Sequence, residues 1–327
     1  MVFLIQETLK YTIPLLIVAL AGVFAERSGI INIALDGMMI IGALAGALTV
    51  YFLQMAQFPF EQGQLMYLIA MLVSAIVGAV YSLLLAFSAI KLKADQTIGG
   101  TALNLLAPAI SLFIINVFFS QNRLEMPDGN TVAWFMIHNE TGNGFLDAFF
   151  DKMYISTYIL MALFVVMSII LYKTKFGLNL RACGEHPQAA DSVGINVYKM
   201  RYLGTTISGA LGGLGGYVYI ATISAGSTEG TVAGMGFLAL AIMIFGNWKP
   251  LGIALGALLF GLLKCISASY TSLDINGDGV AGLSTLGVSS YFFNIIPYVV
   301  TLIVLAFTAG KSRCPKAEGI PYDKGQR

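Results

Sequence analysis

The chain has 327 residues, of which 57% are hydrophobic and only 11% are charged, and its mean hydropathy is +0.80. Soluble domains carry about 25% charged residues, so this composition excludes a water-soluble globular protein and indicates a polytopic membrane protein. The net charge of +1 suggests no nucleic-acid partner. The spacing of Cys183, Cys265 and Cys314 fits no metal site and requires no disulfide.

Nine stretches of the chain are candidates for membrane-spanning helices, which need about 20 mostly apolar residues. They cover residues 8–24, 31–54, 65–90, 97–119, 153–172, 203–223, 232–247, 251–270 and 290–310. The sequence therefore predicts an all-α fold, a membrane bundle of about nine or ten helices. Residues 1–310 form the transmembrane domain and 311–327 a cytoplasmic tail. The N-terminus has no basic region and no small-residue cleavage site, which favours a first membrane helix over a cleaved signal peptide.

Polar side chains in or beside these stretches are candidates for a translocation pathway, because polar groups in lipid are costly and usually face a bundle interior or water. Asn32 and Asp36 interrupt the second stretch and predict a broken helix or a re-entrant segment. For Asp36 a helix cap near the membrane surface is an equally good interpretation. Asn104 precedes Pro108, which is expected to kink its helix. Glu229 is the fourth candidate.

Glycines spaced four apart predict where helices approach each other closely. These pairs are Gly42/Gly46, Gly209/Gly213, Gly212/Gly216 and Gly252/Gly256.

The charges predict the orientation of the chain. Loop 173–201 and the tail after residue 310 are rich in lysine and arginine, whereas loop 120–152 has five acidic and two basic side chains. Cytoplasmic loops carry the excess of basic residues, so the first two are expected in the cytoplasm and loop 120–152 outside. Four spans separate loop 173–201 from the tail, which agrees with both lying on one side.

The polar break at 173–201 contains the pattern of a short docking helix. Pro187 suits a first helical position, and Gly194 suits the left-handed conformation that ends a helix. Ala189 and Ala190 would give this helix a small face that fits a groove on a partner. The Glu185 carboxylate would lie near the positive end of the helix dipole. The alternative is a solvated loop with no partner.

Motifs for catalysis are missing from the sequence. It contains no complete phosphate-binding loop, no HExxH and no GxSxG. The chain is therefore predicted to be a non-catalytic protein without a cofactor.

Four segments resemble the permeases of ABC importers for branched-chain amino acids, ribose and nucleosides. They are Glu26–Ala43 (ERSGIINIALDGMMIIGA), Thr97–Pro108 (TIGGTALNLLAP), Glu185–Ile195 (EHPQAADSVGI) and Phe245–Gly261 (FGNWKPLGIALGALLFG). The first two are most similar to nucleoside permeases, with simple-sugar permeases next. Branched-chain amino acid permeases share the first segment more loosely.

This resemblance implies a type II importer bundle of about ten helices in a bacterial plasma membrane, taking up nucleosides. It implies a second, related permease, a cytoplasmic ATP-binding subunit that can be tandem-fused, and an external substrate-binding lipoprotein or periplasmic protein. ATP hydrolysis would lie on partner chains. The residues that it implies for contact with the ATPase are Glu185, His186, Pro187, Ala189, Ala190 and Gly194.

Other transport functions stay open at this stage. A simple-sugar or branched-chain amino acid permease would share the same architecture. A secondary transporter would carry its own coupling-ion site, at Asp36 or Glu229, and such folds often contain paired broken helices. The sequence shows one broken helix near Gly37 and no convincing counterpart.

Overall fold

The computed structural model describes residues 2–58, 63–126, 135–137, 151–269, 295–297, 299–303, 306 and 314–325. Most of the predicted span 290–310 and most of loop 120–152 lie outside these residues. The helices are α1 (Val2–Glu26), α2 (Leu35–Met55), α3 (Gly63–Ile90), α4 (Gln96–Phe119), α5 (Ile155–Lys173), α6 (Lys175–Glu185), α7 (Pro187–Ser192), α8 (Val197–Ile223), α9 (Met235–Phe245) and α10 (Pro250–Ser269). Two short strands, β1 (Met136–Ile137) and β2 (Met153–Tyr154), pair antiparallel.

Seven of the helices in the described part are long and apolar enough to cross a membrane, which confirms the helical membrane bundle. Two predicted spans need correction. Residues 203–223 belong to a longer helix, α8, that begins at Val197. Residues 232–247 contain only α9, whose 11 residues rise about 16 Å. That is about half of a 30 Å hydrocarbon core, so α9 alone does not span it.

Helix α8 is the centre of the bundle and packs against α1, α2 and α3. Glycines let the backbones meet. A β-carbon at Gly213 would lie 2.4 Å from the carbonyl oxygen of Ser74 on α3, and one at Gly216 would lie 2.0 Å from that of Met39 on α2. On α2, a β-carbon at Gly42 would lie 2.2 Å from the carbonyl oxygen of Gly213. The predicted glycine seams are therefore confirmed here.

The fourth predicted glycine pair lies in the corner between α9 and α10. A β-carbon at Gly252 would lie 2.5 Å from the carbonyl oxygen of Gly246, and one at Gly256 would lie 3.2 Å from the Ile242 side chain. This pair thus also marks a close helix contact, and it sets the sharp return of the chain after α9.

Two helices of the bundle begin at mid-height rather than at a membrane surface. The first turn of α2 lies against Gly212, near the middle of α8, and residues 27–34 reach it as a turn and extended chain. Residues 224–234 enter from the opposite end of the bundle and lead into α9. On the way, Gly230 lies against Pro108, in the middle of α4. The broken helix predicted near Asp36 thus has a counterpart, α9, which the sequence analysis missed.

The described parts of the loops lie at two opposite ends of the bundle. At one end, Gln6 Nε2 near the start of α1 donates to the carbonyl oxygen of Asp151, 2.9 Å away. At the other end, Arg27 pairs with Glu185, and the Gly319 amide donates to the carbonyl oxygen of Gly29. Loop 173–201 and the described tail therefore share one end. We call it the cytoplasmic end, because the rule of basic cytoplasmic loops predicts that it faces the cytoplasm.

The glycine contact of α8 with α2 gives a stability prediction. Gly216→Ala should lower the free energy of unfolding by about 1–3 kcal/mol, because the added methyl group overlaps the Met39 carbonyl and forces a backbone shift. Gly212→Ala on the same helix is the matched control, since its β-carbon would lie 3.3 Å from the Met38 β-carbon. Thermal denaturation in detergent, followed by size-exclusion chromatography, measures both. Equal stability of the two variants would contradict the packing argument.

Candidate functional site

The polar break at 173–201 folds as two short helices, α6 and α7, between the membrane helices α5 and α8. Thr174 caps α6 by accepting a hydrogen bond from the Gly177 amide at 3.2 Å. Pro187 occupies the first turn of α7, as predicted. Gly194 follows the helix with φ +87°, the left-handed conformation that the sequence predicts. The predicted short helix is thus present, bracketed by these two residues.

The end of α7 is held by a pair of backbone hydrogen bonds. The Ile195 amide donates to the Ala190 carbonyl and the Gly194 amide to the Asp191 carbonyl, each at 3.0 Å. This is the Schellman arrangement, in which a residue with positive φ satisfies the last carbonyls of a helix. No other atom lies within 4 Å of a β-carbon built at Gly194. Only the backbone conformation, not space, therefore favours glycine at this position.

The surface of α7 is divided between solvent and the protein itself. His186, Gln188, Ala189 and Val193 are exposed. Pro187 and Ala190 are buried, and Ala190 packs in a cluster with Cys183, Val197 and Tyr322. The structure therefore moves Ala190 from the expected docking face to the inner face, because the C-terminal tail covers it. Ala189 is the alanine that a partner can reach.

Glu185 does not cap α7 in the way the helix-dipole argument suggests. Its Oε1 accepts a hydrogen bond from Arg27 Nη1 at 3.3 Å, whereas the described start of α7 has no side-chain cap. Arg27 directly follows α1, so this ion pair joins the residue at the end of α6 to the end of α1. The His186 side chain, next to Glu185, is exposed.

The tail residues 314–325, here called the strap, lie across the cytoplasmic end of the bundle. The Ala317 amide donates to the Gly184 carbonyl at 2.8 Å, and the Tyr322 ring packs at a tilt against the Tyr198 ring with centroids 5.2 Å apart. Exposed ion pairs hold its end: Lys93 Nζ lies 2.6 Å from Asp323. The strap thus ties α6 and α8 to the turn between α3 and α4. The sequence predicts only a basic cytoplasmic tail here, and none of these contacts follows from it.

Arg201 lies in a membrane helix and not in the loop that the sequence predicts for it. It counts as a loop cation by sequence, but it lies in α8 with 1% of its surface exposed. Its Nη1 donates to the Ile320 carbonyl of the strap at 2.9 Å. The helical spacing of four residues could have indicated this burial. Val197, Arg201, Thr205 and Ser208 recur at helical intervals, and all four are buried on one face of α8.

A carboxyl pair links the strap to α1. Glu318 of the strap hydrogen-bonds Glu26, the last residue of α1, and Glu26 also accepts from the Trp248 indole N–H. Burial raises the pKa of Glu318 to about 7, although the hydrogen bond with Glu26 and the nearby Arg27 cation act in the opposite direction. Two carboxyl groups that are hydrogen-bonded to each other share a proton, because both cannot be charged without repulsion.

Three of the four predicted pathway residues meet where α2 begins. Asp36 Oδ1 accepts from the Gly236 amide in the first turn of α9 at 2.9 Å. Asn104 Oδ1 accepts from the Gly37 amide, and its Nδ2 donates to the Ile33 carbonyl, both at 2.8 Å. Asn32 Nδ2 donates to Ser208 Oγ on α8 at 2.7 Å. These groups brace the starts of α2 and α9, here called the half-helices because both begin inside the bundle. The Asp36 carboxylate lies at the positive ends of both.

Glu229 lies apart from the other three. It is exposed in the segment between α8 and α9, towards the end of the bundle opposite the strap. It lines a small cavity of about 80 Å³ together with Arg123, Ser227 and Thr231. Arg123 is anchored there, since its Nε donates to Ser227 Oγ at 3.1 Å. The four predicted pathway residues thus fall into two places. Three of them form a buried polar centre around Asp36, whereas Glu229 lies near the surface in the same cavity as Arg123.

Comparison with known proteins gives consistent matches over the whole chain. The family model described as "Branched-chain amino acid transport system / permease component" matches residues 4–307. The guanosine ABC transporter permease protein NupQ of Bacillus subtilis is 39% identical, covering 99% of this chain and 97% of its own. The nucleoside ABC transporter permease protein NupC of Lactococcus lactis is 38% identical with the same coverage. The putative glucose ABC transporter permease protein TsgC13 of Haloferax volcanii is 29% identical over 93% of this chain and 91% of its own.

The contact between Asp36 and α9 predicts the effect of replacing the carboxylate. Asp36→Ser and Asp36→Ala should each lower the free energy of unfolding by about 1–3 kcal/mol, because the Gly236 amide then stays buried without an acceptor. Asp36→Asn should cost less, since it keeps an oxygen at the same distance. Thermal denaturation of the three variants tests this order. A serine variant as stable as wild type would mean that Asp36 caps only its own helix.

The Glu318 carboxyl makes docking of the strap depend on pH. Docked Glu318 holds its proton to about pH 7, whereas an undocked glutamate titrates at about 4.3. Docking is therefore strongest below that lower pKa and weakens as the pH rises to about 7. A spin label on Cys314, which is exposed while Cys183 and Cys265 are buried, should become more mobile between pH 5 and pH 8. In Glu318→Gln this change should disappear, and an unchanged pH response would exclude Glu318 as its source.

Proposed function

The chain belongs to the family of branched-chain amino acid transport system permease components, and on this premise we propose that it is the permease subunit of a nucleoside ABC importer. The proposed substrate class rests on one observation: over nearly its full length, the chain is 39% and 38% identical to permeases for guanosine and nucleosides. The glucose permease is more distant, at 29%. Seven apolar helices and the family make it a multi-pass protein of the cell membrane.

An ion-coupled secondary transporter is the alternative that the structure raises, since such folds often contain paired broken helices. Paired half-helices are present, α2 and α9, but Asp36 between them is engaged by the Gly236 amide. Half-helices that start at mid-membrane therefore do not distinguish the two transporter classes in this chain. The family does distinguish them, since its members are the permease components of multi-subunit importers.

The proposed division of labour places ATP hydrolysis and substrate capture on partner chains. A permease of this family works with an ATP-binding subunit and a substrate-binding protein. The exposed face of α7, formed by His186, Gln188, Ala189 and Val193, is the proposed contact with the ATPase. It is small and smooth enough for a groove, and it projects from the cytoplasmic end.

The contacts around α7 explain how movement of the ATPase could reach the bundle. Ala190 packs against Tyr322 of the strap, and the strap holds Arg201 of α8. Glu185 next to α7 pairs with Arg27 at the end of α1. A displacement of α7 would thus be passed to α1 and α8 together. Of these two helices, α8 packs closely on α2, whose first turn holds the polar centre at Asp36.

The proposed pathway runs along α4, between this chain and a second, related permease. Helix α4 is the most exposed of the seven spans, and Thr97 and Thr101 lie on its open face. Asn104, on the other side of α4, supports the start of α2. In this proposal Asp36, Asn32 and Asn104 hold the half-helices that shape the pathway, and Glu229 with Arg123 lies at its outer end.

Uptake competition tests the substrate. Cells that express this permease with its ATP-binding and substrate-binding partners should take up labelled guanosine. Unlabelled adenosine should compete, whereas ribose, glucose and leucine at equal concentration should leave uptake unchanged. Cells lacking only this permease provide the background. Competition by glucose or leucine without competition by adenosine would contradict a nucleoside permease.

Neighbouring alanines on α7 provide a matched test of the coupling surface. Ala189→Trp should reduce co-purification of the ATP-binding subunit at least ten-fold while leaving thermal stability unchanged, because residue 189 faces solvent. Ala190→Trp should instead lower thermal stability, because the ring would displace Tyr322 from its cluster. Normal association and ATP-dependent uptake in Ala189→Trp would show that this face of α7 does not bind the ATPase.

A further inference from the structure

A groove opens between α5 and α10 at the cytoplasmic end of the bundle, with a volume of about 480 Å³. Both helices pack on α1, and the groove lies between them. Its walls are almost entirely apolar. Its lining includes Phe164, Ser168, Tyr172 and Lys173 of α5 and Leu251 and Ala254 of α10. The Tyr172 hydroxyl donates to the Trp248 carbonyl, which fixes the two walls relative to each other.

The depth of the groove matches one leaflet of a bilayer. From Phe164 to Lys173 the α5 wall rises about 14 Å. Half of a hydrocarbon core is about 15 Å. The deep end is apolar, and the shallow end carries the Lys173 ammonium group at the cytoplasmic surface. An acyl chain with a polar headgroup has the same layout.

The rim of the groove is positively charged. Lys173 and Lys249 are exposed, and the Arg181 guanidinium lies 5.0 Å from the centre of the Tyr172 ring. Residues 155–184 and 230–273, which form the two walls and their flanks, contain no aspartate or glutamate. A basic pocket between membrane helices on the cytoplasmic side is the usual form of an anionic-lipid site.

We propose that this groove binds an anionic phospholipid of the cytoplasmic leaflet, with its acyl chain between α5 and α10 and its phosphate near Lys173 and Lys249. The site is separate from the proposed pathway, because α4 packs on α2 and α3 whereas the groove lies beside α1. A lipid here would fill the gap between two helices that flank the corner at Trp248. That corner also contacts Glu26 at the end of α1.

Native mass spectrometry of the purified protein tests the site without measuring transport. The protein is incubated with phosphatidylglycerol or phosphatidylcholine at equal concentration, and retained adducts are counted. Wild type should prefer phosphatidylglycerol. Lys173→Gln/Lys249→Gln should weaken that adduct about ten-fold or more, since each lysine near a membrane surface contributes about 1 kcal/mol to anionic-lipid binding.

Two control variants separate the groove from general surface charge. Lys91→Gln/Lys199→Gln removes two exposed lysines of the cytoplasmic end outside the groove and should leave the adduct unchanged. Ala254→Trp keeps the charges, fills the groove and should also displace the lipid. Equal loss in both lysine pairs, or an adduct unaffected by Ala254→Trp, would overturn the proposal. The proposal would also be overturned if a co-purified second protein subunit, and not the lipid, were lost from the groove variants.

Discussion

The close approach of α8 to its neighbours is the constraint on which the rest of the bundle depends. Glycines on α8 let its backbone touch those of α2 and α3, and Gly213 and Gly216 leave no room for a β-carbon. In lipid there is little hydrophobic drive between helices, so such close van der Waals packing holds the bundle together. It also sets the height at which α2 begins, opposite Gly212 and far from either membrane surface. The polar centre at Asp36 exists because α2 and α9 both begin there.

Half-helices that start inside a bundle expose amide groups where water is scarce, and those groups need acceptors. Two side chains from other parts of the chain supply them. The Asp36 carboxylate accepts from Gly236 in α9, and the Asn104 amide oxygen accepts from Gly37 in α2. Asp36 and Asn104, which the sequence predicts to line a pathway, thus first satisfy buried backbone amides at the starts of α2 and α9. A role in transport would come from the half-helices that they position.

The cytoplasmic end behaves as one unit because the strap joins its parts. It contacts α6 at Gly184, α8 through Arg201, and the turn after α3 through Lys93. The Ile320 carbonyl accepts a hydrogen bond from Arg201 Nη1 and offsets part of the cost of burying this cation, whose Nε and Nη2 are buried without a hydrogen-bond partner among the described residues. A short helix of two turns would be unstable alone, so α7 owes its position to these contacts. This makes α7 a rigid contact point for the ATPase in the proposed mechanism.

Local patterns in the sequence are enough to predict the membrane class, most of the spans, the relative side of the basic loops, the glycine seams and the two ends of α7. Each rests on local chemistry: runs of apolar residues, charge counts, and the backbone preferences of Pro187 and Gly194. Four features follow from the packed fold alone: the inward face of Ala190, the burial of Arg201, the pairing of α2 with α9 and the acceptor role of Asp36. These depend on contacts between residues 119 to 200 positions apart, such as Arg201 with Ile320 and Asp36 with Gly236. No local pattern encodes such contacts, because they arise only when distant helices pack.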